Sequence, residues 1–143
     1  MLSTIHLSQI FVLDQDEALD FYVGKLGLEV VADMDLGSMR WLTVRVPGDP
    51  GHQLLLERPG PPSMDDTTAE QVRELLTKGA TGWFGLTTDN CRRTYEELVA
   101  KGVEITQEPI ERFYGTDCGL RDPFGNAIRI LEPAREAQPD ATR

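Results

Sequence analysis

Asp14 is followed thirteen residues later by Gly27-Leu28-Glu29-Val30, and Asp89 is followed thirteen residues later by Gly102-Val103-Glu104-Ile105. A second match lies downstream of each. Gly51-His52-Gln53-Leu54-Leu55-Leu56, closed by Pro59, mirrors Gly125-Asn126-Ala127-Ile128-Arg129-Ile130, closed by Pro133. Each of these glycines is preceded by an Asp-Pro, at Asp49-Pro50 and Asp122-Pro123. The same order at nearly the same spacing marks an internal duplication. A duplicated module usually builds its site where the copies meet, which locates a candidate site before any chemistry is known.

Working outward, each copy reads as β-α-β-β-β. Residues 4–12 alternate and carry β-formers, so they read as a strand. Asp14 or Asp16 can cap the helix that follows, because a carboxylate accepts from its free N–H groups. That helix carries Ala18, Phe21 and Tyr22, and Gly27 stops it. Residues 28–32, 40–46 and 53–57 read as strands. Residues 58–64 are a proline-rich linker. Thr68-Ala69-Glu70-Gln71 resembles a capping box, and Val72, Leu75 and Leu76 give a short helix before Gly79. The pattern then restarts with a strand over 82–88 and a helix capped by Asp89, with Tyr95, Leu98 and Val99 inward. Strands over 103–106, 113–121 and 126–131 complete it. The division is a first module over 1–60, a linker with a short helix over 61–80, a second module over 81–133 and a polar tail over 134–143, expected to fray.

The expected fold is α+β. Paired βαβββ modules form a curved mixed sheet around a cleft, with helices on the outer face, and that cleft is the default ligand site. The 143 residues, 40% of them hydrophobic, suffice for one such core. A net charge of −10 argues against nucleic-acid and membrane-surface partners, which need a basic face. No apolar run approaches the ~20 residues of a membrane span, and the N-terminus has no signal-peptide pattern. Cys91 and Cys118 show no CxxC spacing and read as structural thiols of a cytoplasmic protein.

Val12-Leu13-Asp14, Phe21-Tyr22, Leu26-Gly27-Leu28-Glu29-Val30 and Asp122-Pro123-Phe124-Gly125-Asn126 together resemble the vicinal oxygen chelate superfamily, the glyoxalase, bleomycin-resistance and extradiol dioxygenase group. The resemblance covers about residues 4–133. It implies a divalent metal held by His, Gln or Glu at four strand positions, two per module. Carried onto this chain, those positions are Leu7, Leu55, Trp83 and Arg129. Leucine has no lone pair to give, tryptophan only donates and arginine is a cation, so none is a ligand. No cofactor is expected on this register. A divalent metal enters only under the alternative of a metal-dependent lyase, isomerase or ring-cleaving dioxygenase, with His6, Gln9, Glu57 or Asp117 as ligands.

Strand alternation assigns the cleft-facing candidates: Gln9, Phe11, Trp41, Thr43, Leu55, Trp83, Phe113, Asp117 and Arg129. Aromatic rings stack on planar groups, and an arginine offers a fork to an anion. The first expectation is therefore a metal-free small-molecule binding protein, with a pocket for a planar or aromatic ligand, neutral or anionic. Against this stand aromatics that simply plug the cleft, and an Arg129 paired with Asp117 rather than free for ligand. Asp117 and Glu57 are the candidates for a general base in a metal-free enzyme. His52 reads as a loop histidine, and Tyr114 and Cys118 fall on the core side. By the same resemblance the protein is expected to be a homodimer, with the modules pairing within a chain or swapping between chains.

Overall fold

The computed structural model describes residues 1–135. The chain divides into two compact units, Met1–Thr81 and a second beginning at Gly82. Of the expected tail, residues 136–143 lie outside the described residues.

The first unit runs β1 (Leu7–Phe11), α1 (Gln15–Tyr22), β2 (Glu29–Asp35), β3 (Arg40–Arg45), β4 (Gln53–Glu57) and α2 (Asp66–Thr77). Its sheet has the order β1-β4-β3-β2, with β1 parallel to β4 and the other pairs antiparallel. The Asp14 carboxylate caps α1 by accepting from the Glu17 N–H at 2.8 Å. Gly27, at φ +79°, turns the chain out of the helix. Ala18, Phe21 and Tyr22 are buried together with Leu42, Val44 and Leu56 of the sheet. Gln15 ties the helix to two strands, its amide donating to the carbonyls of Arg40 and Leu56 at 3.1 and 2.9 Å.

The second helix starts earlier than the sequence suggests. Its cap is Asp65, which accepts from the Thr68 N–H at 2.7 Å, so Thr68 lies inside the first turn instead of opening it. Leu76 is buried, whereas Leu75 is half-exposed.

The second unit repeats the plan with β5 (Trp83–Thr87), α3 (Cys91–Ala100), β6 (Glu104–Arg112), β7 (Gly115–Arg121) and β8 (Ala127–Pro133). Its order is β5-β8-β7-β6, with β5 parallel to β8. Three expectations change here. Asn90 caps α3, accepting from the Arg93 N–H at 3.0 Å, in place of Asp89. Val99 is exposed, and Cys91 and Leu98 are the helix residues that bury. Strand β6 extends to Arg112 through Pro109, which an edge strand tolerates because no ladder partner needs its missing N–H. Phe113-Tyr114 consequently forms the β6–β7 turn and does not open β7. Gly115 opens it at φ +142°, where a Cβ would run into the Glu132 carbonyl.

The Asp-Pro-Phe-Gly-Asn stretch is a turn wound around one carboxylate. Asp122 Oδ1 accepts from the N–H groups of Phe124, Gly125 and Asn126 at 2.8–3.0 Å, and Oδ2 accepts from the Asn126 amide at 2.7 Å. This fixes the entry of β8 beside β7.

The duplication is visible in the pairing. Across the first sheet one row reads Gln9, Leu55, Thr43, Ala32. Across the second the matching row reads Gly85, Arg129, Gly119, Gln107. The fold is α+β as expected. Each βαβββ module closes its own four-stranded mixed sheet, with its helices packed on one face.

Candidate functional site

The face of the second sheet that α3 leaves uncovered carries Arg129, Asp117 and Gln107. Asp117, only 6% exposed, has four donors. Its Oδ1 accepts from Arg112 Nε at 3.1 Å and from the Gln107 amide at 3.2 Å. Its Oδ2 accepts from the Tyr114 hydroxyl at 2.9 Å and lies 3.0 Å from Arg129 Nη2. Arg129 Nη2 also donates to Gln107 Oε1 at 3.1 Å. Burial alone would raise the Asp117 carboxyl, but the donors from Arg129, Tyr114, Arg112 and Gln107 outweigh it and hold it at about 2. Such a carboxylate stays ionised, and with four donors engaged it anchors Arg129, Arg112, Tyr114 and Gln107.

Gly119 makes this pairing possible. A Cβ there would lie 2.9 Å from Arg129 Nη1 and 2.7 Å from Thr106 Oγ1. The guanidinium therefore lies across the bare backbone of β7 on its way to Asp117 and Gln107. The first module has Thr43 at the matching place, and its partner there is Leu55, with no charge to accommodate.

Trp83, Gly85, Thr87, Tyr114, Asp117 and Arg129 line an open cavity of about 540 Å³ on this face. Trp83 is 71% exposed and stands as one wall, its ring beside the bare Cα of Gly85. Trp83, Asp117 and Arg129 are thus brought together as the sequence suggests. Phe113 is not. It sits in the turn, 65% exposed, packed edge-on against Tyr114 with ring centroids 5.1 Å apart. Tyr114, assigned from sequence to the core side, instead takes a wall position with its hydroxyl on Asp117. Burial, and then the bond to Asp117, push the Tyr114 phenol up.

Gln107 and Arg112 were not foreseen, because β6 was expected to end near residue 106 and its register against β7 shifts twice.

In the first unit the candidates share the sheet face opposite Leu42, Val44 and Leu56. Gln9 is exposed, Leu55 and Thr43 are buried, and Phe11 and Trp41 are half-buried. Thr43 Oγ1 is buried without a hydrogen-bond partner. Glu57 accepts from Ser63 Oγ at 2.6 Å. With Gln15, Arg40 and Arg58 it lines a separate cavity of about 320 Å³ at the edge of this unit.

The residues do not fit the divalent metal that the superfamily implies. Arg129 occupies one ligand position as a cation, and the nearest carboxylate, Asp117, is already committed to four donors. His52 Nε2 lies 2.9 Å from Ser8 Oγ in an exposed position, as a loop histidine would. Among the described residues no three His, Cys, Asp or Glu side chains gather as a metal ion would require. The cysteines, distant in sequence, are neighbours beneath the sheet. Burial and then the coupling to Cys91 push the Cys118 thiol up to about 12, the reverse of what a nucleophile needs. Among the described residues no helix is long and apolar enough to cross a membrane.

Comparison with known proteins agrees with this architecture. The family model of the Glyoxalase/Bleomycin resistance protein/Dioxygenase superfamily matches residues 4–130. The YurT protein of Bacillus subtilis strain 168 is 35% identical over 130 residues, covering 90% of this chain and 98% of that protein. The crystal structure of UcmS2 superposes with a TM-score of 0.87 at 41% identity, covering 92% of this chain and 99% of the other. TnmS3, an antibiotic binding protein from Streptomyces sp. CB03234, superposes with a TM-score of 0.75 at 28% identity, covering 93% and 98%. Sequence match, module plan and strand register lead to one assignment: the chain belongs to the glyoxalase/bleomycin resistance protein/dioxygenase superfamily.

Proposed function

We propose that this protein binds a planar aromatic small molecule without using a metal, in the cavity of its second module. One observation carries the reading. At two places where a metal-dependent relative would hold ligands, this chain has Trp83, an exposed aromatic wall, and Arg129, a cation fixed by Asp117. An exposed tryptophan bordering a cavity of about 540 Å³ offers a large stacking surface. The likeness to an antibiotic binding protein supports capture of a small molecule over its chemical conversion. Asp117, already engaged by four donors, supports an anchoring role over that of a general base. The protein is further read as a cytoplasmic homodimer; Val30, Met34 and Leu36, exposed on and just after the edge strand β2, support a contact between copies.

The test is a fluorescence titration with polycyclic aromatic compounds. It is run in a Trp41→Phe background, so that Trp83 is the sole tryptophan reporter of the two in the chain. Saturable quenching is expected, and in the otherwise native protein Trp83→Ala should weaken binding measured by calorimetry about tenfold or more. No saturable response across the panel, or binding untouched by Trp83→Ala, would sink the reading.

A further inference from the structure

The row that crosses the second sheet places an arginine between two glycines: Gly85, Arg129, Gly119. The duplicate row in the first module carries side chains at all three places, Gln9, Leu55 and Thr43. The second module has therefore been cleared on both sides of a single cation. Gly119 gives the guanidinium its path, and Gly85 lets the Trp83 ring lie beside bare backbone, 4.0 Å from where a Cβ would stand.

Arg129 is also only partly used. Its hydrogen bond to Gln107 and its contact with Asp117 both run through Nη2. Its Nε and Nη1 hydrogens have no protein acceptor among the described residues. Asp117 does not need the whole of this cation, because Arg112, Tyr114 and Gln107 already donate to it. Two guanidiniums face one carboxylate, which leaves the cluster one positive charge in surplus within a chain of net charge −10. The Arg129 side chain is 31% exposed and lines the cavity, which puts it within reach of a ligand there.

We infer that the ligand is an aromatic acid: its ring stacks on Trp83, and an anionic oxygen on or next to that ring accepts from one of the unused donors of Arg129, Nε–H or Nη1–H. Asp117, Gln107 and Gly119 act as positioning residues that hold the guanidinium across β7 through Nη2 and leave the other donors to the ligand. Arg129 is then what discriminates an acid from a neutral ligand of the same shape. The inference rests on the small-molecule reading above and adds the chemical class of the ligand.

The experiment compares naphthalene-2-carboxylate with naphthalene-2-carboxamide, an isosteric neutral probe, by calorimetry on the wild-type protein at neutral pH. A charge-assisted bond to a guanidinium should favour the acid by about tenfold or more, and added salt should narrow the gap. Arg129→Leu, which installs the residue found at the duplicate position 55, should bring the ratio of acid to amide affinity to about one. Equal affinity of the two probes for the wild-type protein overturns the inference and leaves the aromatic-binding reading in place. Failure of both probes to bind at millimolar concentration overturns both. The wild-type comparison decides the matter even if Arg129→Leu does not fold.

Discussion

At the residue scale the molecule turns on Asp117. Its carboxylate is depressed to about 2 in the folded chain against an ordinary value of ~3.9. The sign follows from linkage: the folded state binds the proton less tightly than the unfolded state. The stabilisation is therefore fully present above about pH 4–5 and is lost as pH falls through about 2. Arg112 and Arg129 are about one-third exposed, so solvent discounts the effect to about 1–2 kcal/mol. Denaturation of wild type and Asp117→Asn should show a stability gap of that order at pH 7, closing as pH approaches 2. A gap independent of pH would show that the carboxylate charge is not what matters. Gly119 gives a second residue-scale expectation. Alanine there must displace Arg129 Nη1 or Thr106, and overpacking of this kind costs about 1–3 kcal/mol. The urea midpoint of Gly119→Ala should fall accordingly, with an unchanged m-value.

At the element scale the caps are where sequence and structure part. Asp14 caps α1 as its position suggests, but Asn90 replaces Asp89 on α3 and Asp65 replaces Thr68 on α2. In each case two capping residue types near the helix start compete, and the winner is the one whose side chain reaches the N–H three residues on. Asn90→Ala should cost about 1 kcal/mol, whereas Asp89→Ala should change stability by less than about half of that. Equal effects in thermal denaturation would return the cap to Asp89.

Strand β6 shows a different limit. Its core period is legible over residues 103–106, but two register shifts and Pro109 hide the continuation to Arg112. A period-2 reading fails at a shift because one slipped residue reverses every later face. Gln107 and Arg112, two of the four donors to Asp117, went unseen for that reason, and the displaced turn put Tyr114 on the wrong side.

At the scale of the whole molecule, the duplication carried most of the fold. Two repeats of one spacing predicted two βαβββ modules, and the parallel pairs β1–β4 and β5–β8 repeat with the same register. That register made Leu55 and Arg129 equivalent, and the structure places them at the same point of the two rows. The pairing of Arg129 with Asp117 was legible only as one of two options, since neighbouring strands bring the side chains close but cannot say which acceptor wins. The deciding fact, the missing side chain at Gly119, has meaning only once the guanidinium is seen lying over it.

The central claim is that this superfamily member keeps the fold and has exchanged the metal for an arginine. Its most direct test is the metal content of purified, untagged protein by elemental analysis, before and after dialysis against Zn²⁺, Ni²⁺, Fe²⁺ and Mn²⁺. The account predicts less than about 0.1 metal per chain throughout, because a genuine four-ligand site fills near stoichiometrically. A ratio of about one would contradict it and return His6, Gln9, Glu57 and Asp117 to consideration as ligands.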